Sequence, residues 1–292
     1  KLMSGRKSFS AKLFGFADNN GIYVANGFAA KQIYPLSEAS VKNAAEKINS
    51  IYENFLDSSN KVVVAVAPDK GFYLAEKSGH LALDYDRLTE ILRQNAAVGE
   101  YVDLTDALSA ECYYKTDTHW RQDKIAPAAT KIAAALGVEL ESSYTTSTAT
   151  DNFYGVYYGQ SALPLPAEQI NYVTSAAINA AEVYNAETKT IGGVYDFDKL
   201  SGKDPYEFFL SGSVSLLEIT NPTQQNGRRL VVFRDSFGSS LVPYLIGAYS
   251  EIAVIDTRYI SPSLLSDYVD FDGCDVLFLY STLLLNDSYT LK

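Results

Sequence analysis

The chain has 292 residues, enough for a large core, and 47% of them are hydrophobic, which argues against disorder. Its formal charge of −11 disfavours nucleic acid, anionic membranes and polyanions as partners, since each would need a basic stripe and only Gly227-Arg228-Arg229 approaches one. No apolar run approaches the roughly 18 residues of a membrane span, and the 22 tyrosines suit a wet, amphipathic surface such as one facing a glycan.

In chain order, the opening "KLMSGRKSFS" reads as a mid-chain start with no signal peptide, and a leader or anchor is expected to have preceded it. "GIYVANGF" suggests a small hairpin. "SEASVKNAAEKINSIYENFLD" reads as a helix capped by Ser37, with Val41, Ala45, Ile48, Ile51, Tyr52 and Phe55 on one face. "KVVVAVAP" (Lys61 to Pro68) is a buried strand, followed by Lys70 as a loop charge and His80 as a surface loop residue. "DYDRLTEILRQNA" and "KIAPAATKIAAALG" are helices, the second closed by Gly137. Residues 141–222, rich in Tyr, Thr, Ser and Asn, read as a β-rich insertion packed on an α/β core. "LVVF" (Leu230 to Phe233), "IAVID" (Ile252 to Asp256) and "DVLFLY" (Asp275 to Tyr280) lack polar alternation, as parallel strands covered on both faces do. After Ser236 comes a helix in which Pro243 is tolerable only near a first turn. The acids of "DYVDFDGCD" form a solvated turn without EF-hand spacing.

Cys112 and Cys274 sit far apart, either as one disulfide or as two free buried thiols. With two histidines and no cysteine cluster, no metal site is expected and no cofactor is called for.

"TDTHW" (Thr116 to Trp120) places Asp117 two residues before His119. Residues two apart do not face each other on a helix, so a pairing requires an extended or looped backbone. A carboxylate beside an imidazole fixes its tautomer and stabilises the imidazolium formed on proton abstraction; the plainer reading is a loop histidine beside an acid. In "RLVVFRDSFGSS" an apolar strand runs into Asp235-Ser236 and then a helix, a setting that exposes a serine at the carboxyl end of a sheet. There Asp235 reads as a helix-start residue, and N–H groups around Ser236 can hold an oxyanion. Arg258, in "IDTRY", either enters the same crevice to meet substrate or negative charge, or pairs with Asp256 or Asp235.

Taken in order, "YYKTDTHW", "DNFYGVYYGQ" and "VVFRDSFGSSLVPYL…IDTRY" resemble the DHHW protein family, with "VAVAPDKGFY" a further similar segment. That family is similar to the alginate O-acetylation proteins of the AlgX and AlgJ type, which are SGNH-hydrolase-like. Thr118 stands where the family name implies a histidine, while His119 beside Trp120 is retained. The resemblance implies one SGNH-like domain over residues 1–292, with a three-layer α/β/α core and a parallel sheet. It implies Ser236 as nucleophile, His119 as base and Asp117 as orienting acid, with Tyr154 and Gly155 resembling the family's aromatic–Gly pair, whose Gly N–H would serve an oxyanion. Trp120 is expected to anchor the loop. The implied function is an O-acetylesterase or O-acetyltransferase on extracellular or cell-envelope carbohydrate. The rival is a non-catalytic carbohydrate-binding or envelope-assembly protein of the same fold.

Overall fold

The structure, a computed structural model, describes residues 20–161 and 165–292; the opening "KLMSGRKSFS" lies outside the described residues. The N-terminal hairpin pairs β1 (Ile22–Ala25) with β2 (Phe28–Lys31). Its turn residues Asn26 and Gly27 both have positive φ, 50° and 83°, as a two-residue hairpin turn demands. Helix α1 (Glu38–Phe55) begins where Ser37 Oγ accepts from Ser40 N, 3.3 Å away. β3 (Val62–Ala67), α2 (Tyr85–Asn95) and β4 (Glu100–Asp103) follow, then α3 (Ala126–Leu136), which stops at Gly137 with φ 70°.

Residues 141–222 carry β5 (Thr145–Phe153), α4 (Val156–Ser161), β6 (Glu168–Thr174), β7 (Glu182–Asn185), β8 (Thr190–Gly192) and β9 (Leu216–Thr220). Only β5 and β6 form a separate ribbon; β7, β8 and β9 extend the main sheet. The chain closes with β10 (Arg229–Arg234), α5 (Ser236–Leu241), β11 (Glu251–Ile255) and β12 (Asp275–Ser281). Pro243 ends the α-helical ladder: α5 stops at Leu241 and the chain continues as a 3₁₀ turn, Val242–Ala248, with the proline near its start.

The main sheet has eight strands in the order β4-β3-β12-β10-β11-β9-β7-β8. The first five run parallel and the last three pair antiparallel. The period-two alternation of β3 separates two cores. Val62, Val64 and Val66 pack with α1 and α2, whereas Val63, Ala65 and Ala67 pack with α3 and the 3₁₀ turn. Helices therefore cover both faces, giving the expected three-layer α/β/α arrangement. β10 is flanked by β11 on one side and β12 on the other, so the turn after Arg234 opens in the crevice at the carboxyl ends of the strands.

Cys112 and Cys274 are both free thiols, the first half-buried and the second buried. His80 is half-buried; its ring stacks on Tyr23 at 3.9 Å.

Candidate active site

Asp117 and His119 meet in a loop. Tyr113 and Trp120 form an isolated antiparallel bridge, and Tyr114 N–H donates to His119 O at 3.1 Å, closing 114–119 into a tight turn. Within it Asp117 Oδ1 accepts from His119 N–H at 3.0 Å, the i to i+2 bond of an Asx turn. The same oxygen lies 2.6 Å from His119 Nδ1. An ionised carboxylate only accepts, so Nδ1 carries the proton and Nε2 is left as acceptor. Ser236 Oγ lies 2.7 Å from that Nε2. Asp117, His119 and Ser236 thus form one line of hydrogen bonds.

Each member is held by its own element. Asp117 is fully buried, and its Oδ2 accepts Val156 N–H at 2.9 Å at the start of α4. Burial alone would raise its pKa; the His119 charge and the hydrogen bonds from His119 and Val156 outweigh that and hold the carboxyl below its ordinary range. Glu168 clamps the loop from β6, accepting from Lys115 N, Thr116 N and Thr116 Oγ1, each at 2.7 Å. Tyr206 stacks on the imidazole, with centroids 3.7 Å apart. Trp120 is the expected anchor: buried, it donates through Nε1 to Phe237 O at 3.0 Å and Ser240 Oγ at 2.9 Å, tying the loop to α5.

Ser236 is the first residue of α5 and half-exposed. Asp235 caps that helix, as read from the sequence: its Oδ1 accepts Phe237 N–H at 3.0 Å and its Oδ2 accepts Ser281 N–H at 2.8 Å from the end of β12. Ser236 lines a cleft of about 560 Å³ with Tyr34, Thr118, Gln160 and Arg258. A separate cavity of about 550 Å³, lined by Asn185, Tyr195, Phe197 and Lys199, includes none of Asp117, His119 and Ser236.

Arg258 forms the ion pair with Asp256, through Nε at 2.9 Å and Nη2 at 2.6 Å, and also reaches the crevice. Three sequence readings need correction. Gly155 N–H is occupied, donating to Thr116 Oγ1 at 3.0 Å, so it is not an oxyanion donor. Its hydrogen side chain instead admits the loop, because a Cβ there would lie 2.2 Å from Asp117 Cβ. Tyr154 is 41% exposed, its ring packed on Tyr158 at 4.5 Å rather than lining the cleft. Lys70 is more than a loop charge: it is 2% exposed, and its Nζ donates to Tyr114 O at 2.6 Å. Sequence reasoning also missed Glu168 and Tyr206, which carry no local signal.

A family model described as "DHHW protein" matches residues 91–255. Among solved structures, a DHHW family protein from Eubacterium siraeum is similar with TM-score 0.76 and 25% identity, over 92% of this chain and 93% of that one. Bacillus cereus PatB1 is similar with TM-score 0.70 and 17% identity, over 90% and 96%. The O-acetyltransferase domain of Pseudomonas putida AlgJ is similar with TM-score 0.54 and 13% identity, over 91% and 92%. No curated protein matches the chain. The fold is SGNH-hydrolase-like, and the family resemblance read from the sequence is borne out.

Proposed function

The chain belongs to the DHHW protein family, and we propose that it is a serine-dependent O-acetylesterase or O-acetyltransferase acting on acetylated carbohydrate outside the cell or in its envelope. The observation that carries this reading is the line from Asp117 through His119 to Ser236, ending in an open cleft at the carboxyl edge of the sheet. Support for acetyl chemistry comes from the shared fold of a protein described as an O-acetyltransferase domain.

In the proposed reaction His119 Nε2 takes the Ser236 Oγ proton as the oxygen attacks the acetyl carbonyl. Asp117 keeps Nδ1–H in place and stabilises the imidazolium. At the helix start, Phe237 N–H and Gly238 N–H are already given to Asp235. Ser236's own N–H, outside the helical ladder, is therefore the oxyanion donor at this turn. His119 returns the proton to the departing sugar oxygen, leaving an acetyl-serine. Water then yields the esterase outcome, and a sugar hydroxyl yields transfer. Arg258 at the cleft wall contacts substrate. Among the described residues no helix is long and apolar enough to cross a membrane.

The test is p-nitrophenyl acetate cleavage by the wild type and Ser236→Ala, with mass spectrometry for acetylated or sulfonyl fluoride-labelled Ser236. Wild-type turnover absent from Ser236→Ala, and a label on Ser236, are expected. Equal rates with no label would favour the carbohydrate-binding alternative.

A further inference from the structure

Lys70 follows the carboxyl end of β3 and is 2% exposed. A buried ammonium is costly unless its surroundings use it. Its Nζ donates to Tyr114 O at 2.6 Å and lies 5.1 Å from the centre of the Tyr157 ring. Both partners grip the loop that carries Asp117 and His119. Tyr114 N–H holds His119 O at 3.1 Å; Tyr157 N–H holds Thr116 O at 3.0 Å, and its hydroxyl donates to Thr118 Oγ1 at 3.0 Å.

The charges felt by Lys70 are those of Asp117, Glu168 and Asp69, in that order. Glu168 clamps the same loop through Lys115 and Thr116. Asp69 is turned away from this role: it is buried, which pushes its pKa up, and it accepts from Gly71 N, Tyr85 Oη and Thr282 Oγ1. On its other side the pair is faced by Tyr206, Ser236 and the carboxyl of Asp204, whose charge couples to both Asp117 and His119.

We propose that Lys70 is a positioning residue for the Asp117–His119 pair, bracing the 114–119 loop from beneath and supplying the cation that balances buried Asp117. This rests on the proposed function. Burial, opposed by the neighbouring acids, lowers the Lys70 pKa to about 7, so the cation is present where a histidine base loses activity in acid. Removing a cation beside the Asp117–His119 pair should move the acid limb of activity to higher pH.

The experiment is the pH dependence of p-nitrophenyl acetate cleavage by the wild type, Lys70→Met and Lys70→Arg, with thermal unfolding to verify folding. Lys70→Met should lose about tenfold in kcat with little change in KM, and the acid limb of kcat/KM should move up by about half a pH unit. Lys70→Arg, which keeps the cation, should leave the limb in place. A merely structural lysine would change the amount of folded enzyme but not the limb. An active wild type with an unmoved limb in folded Lys70→Met overturns this inference alone. If Lys70→Met does not fold, Lys70→Arg decides, and a limb displaced by about half a unit overturns the inference. A wild type inert toward the ester sinks the proposed function and this inference with it.

Discussion

The ring of Tyr206 lies flat on the imidazole of His119, with centroids 3.7 Å apart and planes 2° from parallel. Tyr206 is 3% exposed, and its hydroxyl meets Ser240 Oγ at 2.8 Å, the same atom that accepts from Trp120 Nε1. One buried serine thus fixes both the ring that covers the histidine and the indole that seats its loop. The stacked ring restricts the imidazole to the orientation in which Nε2 meets Ser236 Oγ at 2.7 Å.

Tyr206→Phe retains the face and loses one hydrogen bond. It should cost about 1 kcal/mol of stability and leave kcat for acetyl-ester cleavage within about threefold. Tyr206→Ala removes the face and opens a cavity, costing about 3–5 kcal/mol, and should lower kcat by more than about tenfold. Thermal unfolding and ester hydrolysis read the two effects. An unimpaired kcat in Tyr206→Ala would show that the stack is packing alone.

Asp117→Asn separates charge from shape. Asp117 accepts three hydrogen bonds, from His119 N, His119 Nδ1 and Val156 N, whereas an amide brings a donor of its own and disturbs the histidine tautomer. A loss of about 10³–10⁴-fold in kcat with little change in KM is expected. The folded carboxyl has a lowered pKa, so its contribution to stability is present above the ordinary carboxylate value and is lost as pH falls through the folded one. Acid unfolding followed by circular dichroism should show the wild-type advantage shrinking only below about pH 4.

The parallel core is legible because strands covered on both faces admit no polar alternation: all six residues of Val62–Ala67 are buried. β4 is not, since its Glu100 and Asp103 are exposed at the sheet edge and "EYVD" reads equally well as loop. Asp117, His119 and Ser236 stand out because each lies in a local pattern with its own backbone consequence. Glu168 and Lys70 reach the loop across 52 and 44 residues, and nothing near either marks the contact. The Gly155 reading failed for a different reason. The sequence shows that a glycine is there, but only the fold shows that Thr116 Oγ1 has taken its N–H.

Gly155→Ala tests that corrected role. The added methyl would stand 2.2 Å from Asp117 Cβ and 2.5 Å from its Cα, so backbone has to move rather than a flexible side-chain end. Displacing the loop by about 1 Å is expected to lower kcat by about 10²-fold. A crystal structure of the variant should show the Asp117–His119 contact lengthened. Full activity would mean that the loop tolerates the shift.

The buried Lys70 makes a final prediction in stability rather than rate. Its pKa is lowered to about 7 in the folded chain, while the unfolded chain keeps the ordinary lysine value near 10.4. Between those limits the unfolded state holds a proton that the folded state has released, so the folded state gains stability as pH rises, by about 1.4 kcal/mol per unit at most. Below pH 7 the full penalty of the buried charge is present and constant. Lys70→Met carries no such penalty, although it leaves Tyr114 O without its donor. The stability of Lys70→Met relative to wild type should therefore be greatest near pH 6 and decline steadily toward pH 10. Urea unfolding of the two proteins at matched pH measures this difference directly and cancels every titration they share. A difference independent of pH would mean that Lys70 keeps its proton throughout, stabilised by Asp117 and Glu168 more strongly than burial opposes it.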